Sequence, residues 1–135
     1  MKFLFVDTSG WISLVNKTEA CYEYATEIYH NKFVEGYRII THQGVMLETG
    51  NGLASFRLRS MAINLKRKLD ASSRIELIEV DNDLYEASWK LYSERLDKNW
   101  GIVDCISFIV MERFGIVEAL TADKHFEQAG FVKLL

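Results

Sequence analysis

The sequence predicts one α/β domain over residues 1–135, a mostly parallel central sheet flanked by helices in three layers, and three observations lead there. Short stretches with strand character recur along the whole chain. Between them lie segments whose apolar residues repeat at helical spacing. The chain has no proline and only 8 glycines, which suits helices and short connections better than an all-β design. Strands that alternate with one or two helices imply parallel pairing through right-handed crossovers.

Phe3–Val6 is a fully apolar run of β-formers, expected to be buried on both faces. It ends at Asp7, after which Thr8 and Ser9 are N-cap candidates and Trp11, Ile12, Leu14 and Val15 carry a helical pattern. Ala20–Phe33 reads as a helix with Tyr24, Ile28 and Phe33 on its apolar stripe, stopped by Gly36. Tyr37–Ile40 is a second strand leading out through Thr41 and His42, and Gly44–Gly50 is helical, with Val45, Leu47 and Glu48. Asn51 and Gly52 interrupt it before Leu53–Leu69, a longer amphipathic helix or helix pair using Leu53, Phe56, Met61, Ile63, Leu65 and Leu69. Ile75–Val80 is a third strand, and Asp81 or Asn82 caps a helix over Leu84–Leu96 whose core face takes Leu84, Ala87, Leu91 and Trp89. A polar loop, Asp97–Asn99, precedes the apolar helix Ile102–Phe114. Glu118–Thr121, Lys124–Gln128 and Phe131–Leu134 complete the chain as strand, short helix and strand.

The formal net charge of −3 argues against broad electrostatic binding of nucleic acid, but leaves room for a small acidic site that grips phosphate through a metal ion. Arg57, Arg59, Lys66, Arg67 and Lys68 cluster mid-chain and read as a solvated helix face. Cys21 and Cys105 form no CxxC pair, and the longest apolar run, Trp100–Met111, is too short to span a membrane and contains Asp104. With no basic segment and apolar signal core at the N-terminus, a reduced, cytoplasmic protein without membrane partners is expected.

Four acids stand out by position. Asp7 and Asp123 each follow a strand and precede a helix, so a parallel sheet puts both on one edge, where ligands of open α/β sheets bind. Glu48 lies in the first turns after the second strand and points to the same edge. Asp104 sits in WGIVDCISFIVM, where burying a carboxylate is expensive without compensation; helix capping is its simplest structural role. Singly, each could be a turn or cap acid. Together, with no matching Lys or Arg set, they repel unless a divalent cation intervenes, and oxygen ligation points to Mg²⁺ or Mn²⁺. Without metal, such crowding should raise the pKa values of these carboxyls.

These segments resemble the PIN-domain ribonucleases, most closely the VapC-type toxins of bacterial toxin–antitoxin pairs, over nearly the whole chain. FVDTSGWISL resembles the family's first strand and acid, and THQGVMLE its second acidic segment. WGIVDCISFIVMERFGI resembles the third motif, and ALTADKHFEQAGF the last, with Thr121 and Asp123 before Phe126 and Gly130–Phe131. Gly101 and Val103 depart from the hydroxyl residues many relatives carry before the third acid. The resemblance implies a PIN-like fold, endonucleolytic cleavage of RNA dependent on Mg²⁺ or Mn²⁺, a homodimer and inhibition by a cognate antitoxin. It also implies catalytic and metal-binding roles for Asp7, Glu48, Asp104 and Asp123, with Thr8, Ser9 and Thr121 orienting carboxylates or waters. The alternative is a PIN fold kept as a non-catalytic RNA- or partner-binding module. A phosphatase of the haloacid dehalogenase type is disfavoured, because Ser9 stands where its general acid would be. A receiver-like phosphoacceptor would want paired acids and a strand-end Lys. His30 is expected on the surface; His42 and His125 lie near the acidic edge without being counted as ligands.

Overall fold

A computed structural model describes Met1–Leu135. Five strands, β1 (Phe3–Val6), β2 (Arg38–His42), β3 (Ile75–Ile78), β4 (Glu118–Leu120) and β5 (Val132–Lys133), form one sheet in the order β3-β2-β1-β4-β5. Every pairing is parallel, with Phe3 opposite Arg38 and Val6 opposite Leu120. Seven helices connect them: α1 (Thr8–Val15), α2 (Tyr22–Val34), α3 (Gln43–Gly52), α4 (Arg59–Ala71), α5 (Asn82–Glu94), α6 (Ile102–Phe114) and α7 (Lys124–Gln128). The chain winds from β1 outward to β3, then returns to add β4 on the other side of β1. Right-handed crossovers in opposite directions put helices on opposite faces. The crevice between the carboxyl ends of β1 and β4 is the topological switch point, where open α/β sheets bind ligands.

Leu4, Phe5 and Val6, with Ile39, Ile40, Ala119 and Leu120, are buried to the last few per cent, as strands covered on both faces require. Phe5 meets Phe126 of α7, which meets Phe108 of α6 edge-on at 5.0 Å between ring centroids. Gly10 lets α1 close on the sheet. A Cβ there would stand 2.2 Å from the Leu120 carbonyl oxygen, so no other residue fits without moving backbone. Gly36, in the left-handed region at φ 90°, ends the turn after α2 as expected. The basic cluster of α4 is solvated, also as expected. No helix is long and apolar enough to cross a membrane.

Several elements differ from expectation for local reasons. The second strand runs on to His42 and the third stops at Ile78. The fourth helix starts only at Arg59, because Leu53 closes α3 and the intervening Ala54–Leu58 stretch turns. Phe56 therefore lies on that connection, 99% exposed, instead of in the core. Ile63, Tyr24 and Trp89 were expected on buried stripes and are exposed; Leu84 alone anchors α5 to the main cluster with a fully buried apolar side chain, and Ser88, one turn on, bonds back to the Leu84 carbonyl. Apolar spacing marks a helix, but it does not distinguish a broad core face from a narrow one.

Candidate active site

Asp7 leaves β1 at the switch point and occupies the N-cap position of α1, yet its carboxylate makes no capping bond. Instead it accepts the Thr121 hydroxyl at 3.0 Å, across the β1–β4 crevice. Thr121 has a single hydroxyl proton, committed to Asp7, so Ser9 donates in the 3.2 Å contact between their oxygens. Ser9 in turn accepts the Ala122 amide at 2.9 Å, and Thr121 accepts the Asp123 amide at 3.1 Å. This relay ties the end of β4 to the start of α1 and fixes the carboxylate of Asp7. Ser9 thus bonds across the crevice and does not cap its own helix.

Thr8 donates to Glu48 Oε1 at 2.8 Å, which draws the acid of α3 toward the same edge. Asp104 is the third residue of α6 and reaches back to the helix start: its Oδ2 accepts the Gly101 amide at 3.0 Å, while the glycine has no side chain to return the bond. The same Oδ2 lies 2.9 Å from His125 Nδ1, which also stands 3.3 Å from Asp123 Oδ1. Asp123 caps α7 by accepting the His125 amide at 2.9 Å. One ligand atom each from Asp104, Asp123 and His125 fall within 4.8 Å of one another, a spacing that a single ion can bridge.

The four predicted acids therefore share one edge, in unequal settings. Asp7 is the most buried, at 6% exposure, although Asp104 was the one expected inside an apolar helix; Asp104 is partly covered and Glu48 is open. Burial pushes the Asp7 carboxyl up to about 7, against lowering by the Thr8 amide and Thr121 hydroxyl, with Asp104 and Glu48 adding repulsion. Loss of hydration also raises Glu48 and Asp104, and neighbouring carboxylates again come after burial as causes. Crowding was expected to dominate. It contributes, but dehydration by the surrounding fold is larger.

Of the three histidines, His30 is exposed as expected. His42 does not face the edge. It is fully buried as the N-cap of α3, accepting the Val45 amide on Nδ1 at 3.3 Å, with Nε2 2.8 Å from Ser107 Oγ. Burial pushes its pKa down to about 3. His125, which sequence reasoning set aside, is the residue that joins the acids; its place two residues after Asp123, in the first turn of α7, was the available signal. No Lys or Arg pairs with any of the four carboxylates. Carboxylates that resist ionisation and have no Lys or Arg partner fit a divalent cation, and the donors are oxygens with one imidazole nitrogen at hand.

The comparisons agree with this architecture. The sequence profile of the PIN domain matches residues 4–132. The 23S rRNA-specific endonuclease VapC20 of Mycobacterium tuberculosis is 30% identical over 131 residues, 97% of each chain. The crystal structure of that protein, described as a sarcin–ricin loop cleaving toxin, superposes with a TM-score of 0.86 at 28% identity, over 96% of this chain and 97% of the other. VapBC2 from Rickettsia felis, crystallised with a DNA fragment from its promoter, shares the fold at a TM-score of 0.68 and 17% identity, over 97% and 96% of the chains. With the acids of the switch point in place on this sheet, the chain belongs to the PIN-domain family.

Proposed function

We propose that this protein is a metal-dependent endoribonuclease, the toxin of a toxin–antitoxin pair, with Asp7, Glu48, Asp104 and Asp123 as its catalytic and metal-binding residues. The observation that supports this best is the meeting of four carboxylates at one sheet edge with no Lys or Arg among them. Phosphate binding by itself requires no such set of negative charges, which disfavours a module kept for binding alone. The 23S rRNA-specific endonuclease among its relatives directs the choice of RNA as substrate.

Asp7, Asp104 and Asp123 would hold a Mg²⁺ or Mn²⁺ ion, with Glu48 beside it directly or through water. A bound divalent cation would supply charge to the phosphate oxygens and lower the pKa of a bound water. The chain's own residues do the rest. The Ser9–Thr121 relay keeps Asp7 oriented, Thr8 holds Glu48 inward, and the Gly101 amide with His125 fixes Asp104. Preorganised carboxylates do not have to be ordered at the moment of reaction.

A cognate antitoxin would silence the site by laying an apolar segment on the surface and placing an Arg among the acids, a bidentate match for carboxylate. The cleft between α1, α2 and α4, lined by Trp11, Leu14, Tyr22, Tyr29 and Leu65, offers apolar surface for such a segment. A homodimer is the proposed oligomeric state. The functional test is incubation of purified protein with a structured RNA hairpin in Mg²⁺, in Mn²⁺ and in excess EDTA. Cleavage in metal alone is the expected result; full activity in EDTA, or equal activity of Asp7→Asn, would overturn the assignment.

A further inference from the structure

The connection from α5 to α6 carries the segment RLDKNWG, Arg95 to Gly101, and it shapes ground next to the acids. A cleft of about 400 Å³ opens there, lined by Tyr92, Arg95, Leu96, Lys98 and Trp100 and reaching Gly101. Gly101 is the residue whose amide holds Asp104 Oδ2 at 3.0 Å, so the cleft and the acidic site share a wall. Their charges are opposite. The cleft contains Arg95 and Lys98, and no carboxylate lines it.

Of the two cations Arg95 is held in place, and Lys98 is the less tied. The Arg95 guanidinium lies over the Trp100 ring, 4.7 Å from its centroid, and bonds the two oxygens of Asp97 at 3.0 and 3.1 Å. Lys98 Nζ stands 3.8 Å from the same carboxylate. One exposed Asp facing two cations leaves a net positive charge. Trp100 is pinned by its Nε1–H donating to Gln128 at 3.1 Å, whereas Tyr92 and Leu96 are exposed, and apolar surface so placed is free to receive a planar ring.

An RNA strand crossing the acidic edge meets repulsion from four carboxylates that only a cation relieves. It therefore needs grip outside that edge, from cations for phosphate and rings for bases. The second cleft beside the acids, which Glu48 and Tyr85 line, has no Lys or Arg. We propose that the Arg95–Lys98 cleft seats the nucleotide next to the scissile phosphate of the RNA substrate. Arg95 and Lys98 contact its phosphate, and Tyr92 with Leu96 packs against its base. This rests on the ribonuclease reading above and assigns to that site its substrate-gripping residues.

The test uses the full chain, a labelled RNA hairpin carrying a sarcin–ricin loop, and Mn²⁺. Lys98→Ala should raise KM by about tenfold with a much smaller change in kcat, as expected for a lost charge-assisted phosphate contact. Lys98→Arg should restore KM. The dependence of log kcat/KM on log salt should flatten by about 0.7 for each cation removed, the slope per phosphate contact on a single strand. Tyr92→Ala should raise KM, and Tyr92→Phe should not. Melting curves accompany each variant; if Arg95→Ala unfolds, Lys98→Ala decides, since its one ion pair is the 3.8 Å contact with Asp97. Unchanged KM and salt slope in Lys98→Ala and Tyr92→Ala would overturn the proposal, as would a fall in kcat at constant KM. So would a change in oligomeric mass by light scattering at constant KM, which would make the cleft a protein contact. If the wild type cuts no RNA, the ribonuclease reading fails separately. Binding of the same hairpin by fluorescence anisotropy then decides the cleft: weaker binding by Lys98→Ala supports it, and equal or absent binding overturns it.

Discussion

Replacing Asp7 with Asn should destroy cleavage and yet stabilise the metal-free protein. The carboxyl moves from 3.8 to about 7 on folding, chiefly through burial. Because the folded-state value is the higher one, the native protein keeps a proton that the unfolded chain has lost between pH 4 and 7. Stability from this group is complete below pH 4 and disappears as pH rises through 7. At about 1.36 kcal/mol per pKa unit, the loss comes to about 4 kcal/mol at pH 8. Asn carries no proton to lose, and its amide oxygen can still accept the Thr121 hydroxyl. In EDTA the variant should match wild type below pH 4 and melt well above it at pH 8, by about 3–5 °C for each kcal/mol in a chain of this size. His42 acts in the opposite sense over nearly the same interval. Its pKa falls from 6.5 to about 3, so its contribution of about 5 kcal/mol is complete above pH 6.5 and lost as pH falls. The two offset one another in the wild type, whose stability should vary little between pH 4.5 and 6.5. In Asp7→Asn the His42 slope is uncovered, and stability should climb with pH across that interval. The assay is chemical denaturation at half-unit steps of pH with and without Mn²⁺, which should raise wild-type stability and scarcely affect the variant. A variant less stable than wild type at pH 8 in EDTA, or a difference that does not grow with pH, would refute this account of Asp7.

Asp104→Asn should reduce cleavage by about a hundredfold or more, measured as single-turnover rates on an RNA hairpin in Mn²⁺, because an amide cannot supply the charge. Gly10→Ala should destabilise the fold by about 1–3 kcal/mol in urea unfolding at every pH, since its methyl group would press on the Leu120 carbonyl. Coexpression with the protein encoded beside it should yield a stable complex on affinity purification, inactive toward RNA; failure of any partner to copurify would remove most support for the toxin assignment. Cys105, buried with its thiol pushed up to about 11 by loss of hydration, should react with a maleimide in the folded protein far more slowly than in the unfolded chain.

The alternation of strand and helix, and the places where strands stop, were legible in the chain because they depend on local pattern. Phe3–Val6 has no polar residue, Gly36 needs its left-handed backbone, and Asp7 and Asp123 both stand at strand ends. A parallel sheet then obliges those acids to share an edge, so their meeting could be read before its geometry. Glu48 followed from its helix, and Asp104 from the improbability of a carboxylate in an apolar segment. Which way each side chain turns was not legible. Asp7 gives up its cap for Thr121, Asp104 takes the amide of Gly101, and His125 rather than a surface cation joins Asp104 to Asp123. Those choices depend on strand order, which brings β4 beside β1, and on a glycine at position 10 that lets α1 come close enough. Tertiary structure also decided which acid is most buried, and hence which carboxyl most resists ionisation. Trp89 and Phe56 make the same point from the apolar side, since spacing placed them on stripes and packing left them in solvent. The sequence by itself determined the element types and the list of acids, because these follow from neighbours along the chain. Burial, pairing and the sharing of protons were decided only in three dimensions, because they follow from neighbours across it.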